Sequence, residues 1–310
     1  MPYLDFKTPT NFTEDRWLEA AELRCGSPSV IHHVNITYTA PDGRTGWVLE
    51  GVPGDWLWTL PPGEGRKIPK GSVLNWQMHY TPNGKPATDR SQLGLVFYKG
   101  KQPPIATIQT LGPTNIYIRI PAHEPSHQVE VEWVAPHEIE LLAFMPHMHL
   151  RGKDFEYKLI NPYGKETIVL SVPKYDFNWQ TTYKLTTPLT LSKGTKIHCT
   201  AHFDNSAANP SNPDPTRTVV FGEQSSEEMM TGFFQFRNSA DISGFEQPEA
   251  FQRVMVICPY PPPVPTAKGP SAFANQINYG QYWPVSLAAV PVLLLLVWFL
   301  RRRQVVVQHS

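Results

Sequence analysis

Cysteine is scarce in this chain, with Cys25, Cys199 and Cys258 the three in 310 residues. At most one internal bridge can form, which excludes a disulfide framework as the basis of the fold. Charged residues make up 17% of the chain, and 27 acidic groups cancel 27 basic ones. With no excess of either sign, nothing in the charge points to a nucleic-acid partner. Stretches with a 3.6-residue apolar period are few, which leaves little room for helices. The start, Met1-Pro2-Tyr3-Leu4-Asp5, has neither a basic nor an apolar leader region. An export signal, if the body is exported, is expected upstream of this sequence.

Proline, by contrast, is abundant, at 32 residues, about twice its usual share. Turn clusters such as Ala40-Pro41-Asp42-Gly43 and Thr81-Pro82-Asn83-Gly84 separate short apolar and aromatic runs. That grammar predicts an all-β, sandwich-type protein. Strands are expected at 29–39, 46–52, 72–80, 93–98 and 115–120 in a first segment, residues 1–122. A second segment, 123–262, repeats the pattern at 128–134, 139–148, 155–160, 167–172, 183–187, 196–203 and 230–236. One helix is expected, over 13–22, with Thr13 as its cap and Arg16 opening its body.

The C-terminal end has a different composition. A Pro-rich stretch from Pro259 reads as a semi-rigid linker over 263–282. Trp283 to Leu300 is then almost uncharged and apolar, and Arg301-Arg302-Arg303 follow directly. About 18 apolar residues match a short transmembrane helix. The arginines are expected to keep the tail, 301–310, cytoplasmic and the body extracytoplasmic.

The residues that could carry chemistry are histidines and one methionine. His147-Met148-His149 places two imidazoles on one strand face, since strand side chains alternate with period two. Alone, such a pair also fits a half-buried strand. The adjacent His32 and His33 would face opposite sides of a regular strand, so joint ligation needs a bulge. His79 and Met229 complete the set, and Met229 alone would pass as a core filler. Three imidazoles suit several late first-row metals, whereas two imidazoles plus a thioether favour copper over zinc.

In order, these residues resemble the copper type II, ascorbate-dependent monooxygenases, the family of the peptidylglycine- and dopamine-hydroxylating enzymes. The shared run is His-His, then Gln77-Met78-His79-Tyr80, then His147-Met148-His149 with Leu150-Arg151-Gly152-Lys153, then Ser225-Ser226-Glu227-Glu228-Met229. The flanks Tyr175–Gln180 and Asp204–Pro210 resemble a bacterial-type branch, in which such regions are often joined to upstream redox domains. The resemblance implies two jelly-roll-like β-sandwich domains in tandem and two copper ions per chain. It assigns His32, His33 and His79 to an electron-storing site with Gln77 beside it, and His147, His149 and Met229 to the catalytic, oxygen-activating site. O2, ascorbate or an equivalent one-electron donor, and a small substrate hydroxylated at a C–H bond are then the implied partners.

The substrate end departs from the family. Met145 stands where the peptide-hydroxylating enzyme holds its substrate carboxylate with arginine, and Thr231 and Phe233 replace an asparagine and a tyrosine. A neutral or apolar substrate is expected. The alternative is a copper-binding redox or carrier protein that keeps the ligands without the reaction. Other motifs read more simply. His123-Glu124-Pro125-Ser126-His127 spells a zinc-protease motif but contains a proline and belongs in a loop. His198 and His202 fit a polar strand face, and Asp204–Pro215 a loop of Asx turns.

Overall fold

The structure is a computed structural model that describes residues 4–52, 56–81, 83–239 and 254–257. The expected linker (263–282), membrane span (283–300) and tail (301–310) lie outside the described residues. Among the described residues no helix is long and apolar enough to cross a membrane.

The described region is all β. One four-stranded sheet runs in the order β1 (Leu4–Pro9), β7 (Val73–Tyr80), β3 (Ile31–Thr39), β4 (Thr45–Gly51). A five-stranded sheet runs β14 (Glu166–Val172), β13 (Gly152–Ile160), β16 (Lys196–Phe203), β11 (His127–Val134), β19 (Val254–Ile257). The eight-stranded sheet follows the path β15 (Tyr183–Leu191), β12 (Ile139–Met148), β18 (Met230–Ser239), β9 (Ala106–Leu111), β6 (Glu64–Ile68), β2 (Arg16–Arg24), β5 (Leu57–Thr59), with β8 (Gln92–Phe97) also paired to β2. A short ribbon joins β10 (Arg119–Ile120) to β17 (Val219–Val220).

Alternating side chains build the cores. In β16, Ile197, Cys199, Ala201 and Phe203 are fully buried while the residues between them reach the surface. They join Trp133, Tyr157, Phe234 and Phe236 in one hydrophobic cluster. A second cluster collects Leu18, Ile36, Leu49, Ile68 and Met78 from the N-terminal strands. The eight-stranded sheet contributes to both. Its two parts meet at the parallel pair β6–β9, only two residues long, at Glu64↔Ala106 and Gly65↔Thr107. Arg237 of β18 reinforces that seam, pairing with Glu64 and with Glu140 (2.9 Å).

The helix expected over 13–22 is a strand, β2. Its register against β8 slips between Leu18 and Ala20. The slip moves the inward face by one residue, so Leu18, Ala21 and Leu23 are all buried. Leu18 and Ala21, three apart, could share a helical face, but Leu23, two residues on, could not; a bulged strand buries all three. The run expected at 115–120 contracts to β10, because Asn115 is buried and its Oδ1 accepts the Tyr117 N–H, turning the chain. Strand β6 carried no apolar alternation because its buried residues include Glu64 and Arg66.

Trp133, fully buried in the larger core, and Ile168, 55% exposed, give opposite stability tests. Trp133→Ala is expected to cost about 3–5 kcal/mol. Ile168→Ala should stay within about 0.5 kcal/mol of the parent in urea unfolding.

Candidate metal centre

Two strand irregularities aim the histidines. In β3 the register against β7 slips between Ile31 and His33, and His33 stands directly opposite His79. The bulge turns both His32 and His33 toward His79, which a regular strand could not do. Their ligand atoms all lie within 4.8 Å of one another. His32 Nδ1 lies 3.0 Å from His33 Nδ1, and His79 Nδ1 lies 3.4 Å from the same atom. Two nitrogens held about 2.0 Å from a common ion are separated by about 3 Å. The three-histidine set therefore fits one metal ion bound through Nδ1 atoms. Gln77 sits two residues before His79 on the same strand and receives a hydrogen bond from Asn35 Nδ2 at 3.3 Å.

In β12 the bulge falls between Leu141 and Ala143. Before it, Ile139 and Leu141 enter the large core; after it, Phe144 and Met148 do. This change of parity takes Met145 and His147 off the core face, where the unbroken period of two would have put them. His147 is paired across the sheet with Thr231, and Met145 with Phe233.

Each second-site imidazole is fixed from behind. His147 Nδ1 lies 2.6 Å from Gln180 Oε1, and the Gln180 amide orientation is set by its Nε2 donating to Phe177 O at 2.9 Å. His149 Nδ1 lies 3.2 Å from the Glu227 carbonyl oxygen. Both partners are acceptors, so each Nδ1 carries the proton and each Nε2 keeps its lone pair for a ligand. The two triads thus present opposite ring nitrogens. Met229 follows directly on Glu227 and Glu228, and lines the same cavity as His147.

The backbone around this pair is also held. Tyr175 Oη accepts the Met148 N–H at 3.0 Å and donates to Met148 O at 2.7 Å. Glu228, fully buried, accepts the His149 N–H at 2.9 Å and the Arg151 N–H at 2.7 Å. The Arg151 guanidinium, also buried, donates to Asn205 Oδ1 and to Ser226 O. Burial pushes the Glu228 carboxyl up to about 8, while these amide donors and Arg151 pull it back.

Burial drives all five imidazoles toward the neutral form. His32 and His33 move down, His79 and His147 fall to about 4 and His149 to about 3. Neighbouring imidazoles add to the effect at His33, His79 and His149, and Gln180 opposes it at His147. Neutral imidazole is the metal-binding form.

The two triads border one cavity of about 550 Å³, its mouth included, lined by His33, Gln77, His147, Met229, Thr231 and Phe233 among others. Phe177 touches both, stacking on His32 (centroids 5.0 Å, 18°) and meeting His149 edge-on at 6.0 Å. All six expected ligands therefore fall at this region. Gln180, Glu228, Tyr175 and Phe177 went unassigned in sequence, although each lies inside or beside a quoted motif.

The decoys resolve by contact. His123 has φ 60° and lies in a loop, so the zinc-protease reading has no helix to act on. His198 pairs with Glu130 and Glu132, and His202 with Asp154, on the outer face of β16. Asp204, Asn209, Asn212 and Asp214 each accept an N–H two residues on, as Asx turns do.

Residues 119–244 match the family described as "Copper type II ascorbate-dependent monooxygenase, C-terminal domain". No curated protein matches the chain. Among solved structures, that of infectious bursal disease virus Gx strain is 8% identical over 74% of this chain, with a TM-score of 0.21; this chain spans 58% of that one. The stem and receptor-binding domain of the spike protein P1 from bacteriophage PM2 is 12% identical over 77% of this chain and 97% of its own, with a TM-score of 0.11. Likenesses at those scores carry no weight for the fold.

Removing the Gln180 acceptor frees the His147 ring. Gln180→Leu is expected to weaken copper binding at the His147/His149/Met229 set by about 10–100-fold, leaving the triad of His32, His33 and His79 unchanged in a copper titration. Glu228 accepts two buried amide N–H groups and lies 3.8 Å from Arg151 Nη1, so removing its side chain leaves these buried donors and the guanidinium without it. Glu228→Ala should cost about 3–5 kcal/mol in denaturant unfolding, and a loss below 1 kcal/mol would contradict the clamp.

Proposed function

We propose that the chain, whose residues 119–244 match the copper type II, ascorbate-dependent monooxygenase family, hydroxylates a C–H bond of a small, neutral or apolar substrate. The observation that carries this reading is the single cavity bordered by both triads. His32, His33 and His79 would hold one copper ion; His147, His149 and Met229 would hold the second. Copper so bound supplies one-electron redox chemistry toward O2, and a thioether ligand favours its reduced state.

The chain's own residues define the rest. Gln180 and the Glu227 carbonyl hold the protons on the far side of His147 and His149, so both rings keep one orientation. Phe233 forms the wall beside His147, with ring centroids 6.2 Å apart. Thr114 Oγ1 donates to Gly112 O, so the Thr231 hydroxyl spends its own proton on Thr114 at 2.9 Å and has no donor left for a carboxylate. The overall balance is R–H + O2 + 2 electrons + 2 protons giving R–OH + H2O, with ascorbate or an equivalent donor supplying the electrons singly. That donor is a small reductant, or a redox domain upstream or separate.

We read residues 1–122 and 123–262 as the two copper domains, jelly-roll-like sandwiches, and 263–282 as their tether. The apolar run 283–300 with its following arginines supports a single membrane span, with the body extracytoplasmic and the tail cytoplasmic.

Metal analysis should find two copper ions per chain. Met229→Ile is expected to reduce ascorbate-driven oxygen uptake to background while one copper remains on the histidine triad. Full activity in that variant would overturn the ligand assignment. Two bound coppers with no oxygenated product from the parent protein would identify a redox or carrier protein instead.

A further inference from the structure

Beside the cavity shared by the triads lies another of about 570 Å³, its mouth included. Glu50 and Phe233 form part of both walls. The second cavity is largely aromatic, through Trp47, Trp58 and Phe233, yet it also holds a cation. Arg66, on β6, is 6% exposed and lines it. Its guanidinium carbon lies 4.5 Å over the Trp58 ring. Nη1 donates to Val48 O and Nη2 to Thr110 Oγ1, each at 3.3 Å, while the buried Nε has no partner. An arginine offers five N–H donors in a planar fork. Here two are used, both at long range, and among the described residues no ion pair reaches it. Burial lowers this guanidinium to about 10, so it stays charged at neutral pH; Glu50 and Tyr38 are the ionisable groups acting on it, both in the opposite direction.

A buried guanidinium that lines a cavity and has N–H groups to spare on Nη1 and Nη2 matches the oxygens of a carboxylate. The surrounding rings match an apolar or aromatic body. The cavity also continues the row that carries the second triad: the pair Met145–Phe233 is next to the pair His147–Thr231 on the same face, about 7 Å further along the strands.

We propose that this cavity is a subsite for a small organic carboxylate, its anionic group held by Arg66 and its apolar body packed between Trp47, Trp58 and Phe233. The assignment rests on the hydroxylase reading in one respect, that the carboxylate is the far end of the substrate whose neutral end reaches His147. The expectation of a neutral molecule then applies to the reacting end alone.

The test is equilibrium binding to the full-length protein without reductant, so that no turnover occurs, read by quenching of tryptophan fluorescence. Phenylacetate is compared with phenylacetamide, its uncharged counterpart of the same shape. Phenylacetate is expected to bind at least tenfold more tightly, with Arg66→Gln abolishing the preference and Arg66→Lys keeping part of it. Because the Gln variant can fail to fold, Glu50→Gln provides a second reading: loss of that negative wall should tighten phenylacetate and leave phenylacetamide unchanged. Equal affinity of the two compounds, no saturable binding of either, or a preference that survives in a folded Arg66→Gln protein would overturn the subsite. An intact preference with no oxygenated product under ascorbate and O2 would leave the subsite standing and refute the hydroxylase reading.

Discussion

A single buried carboxylate ties the second triad together. Glu228 accepts the backbone N–H groups of His149 and Arg151, and Met229 is its chain neighbour. The clamp therefore sets one proposed ligand by its amide and the other by covalent connection. In a dry interior an amide or carboxylate without a partner is costly, so this geometry is held more tightly than the same bonds at the surface could hold it. Arg151 extends the clamp to Asn205, whose amide reaches Pro121 O and Arg217 O. The loop of Asx turns thereby belongs to the support of the site.

The other constraint is parity. Sheet faces are assigned by counting in twos, and a bulge changes the count. One bulge brings His32 and His33 to the same side, and another turns Met145 and His147 away from the core. A third, in β2, lets Leu18, Ala21 and Leu23 all reach the core from one strand. At the two histidine sites the irregularity creates the chemistry, because a regular strand would have separated one histidine pair and buried the other. The segment from Tyr175 to Gln180 then closes over both sets, clamping Met148, stacking on His32 and orienting His147.

Apolar runs bounded by turn residues were legible: β16 alternates cleanly, and β12, despite its bulge, also falls where the pattern put it. Strand β1 was not, because every residue of it is exposed and none has to alternate. Strand β6 escaped for the opposite reason, with two charged residues inside. At the site, the spacing of His147 and His149 was readable because side chains at i and i+2 share a face wherever extended backbone runs without a bulge. The supports were not readable, since Gln180 is 33 residues from His147 and Glu228 is 79 from His149.

The sequence by itself determined the β class, the six side chains with metal-binding chemistry and the order in which they occur. These depend on local periodicity and on the donor atoms each residue carries, and neither needs a partner to be recognised. Only the tertiary structure decided which ring nitrogen each histidine presents, that the two triads border one cavity, and that a buried arginine stands beside it. Those features arise between residues distant in sequence, where burial removes water and makes hydrogen-bond partners obligatory. No local pattern can announce a partner that folding alone brings near.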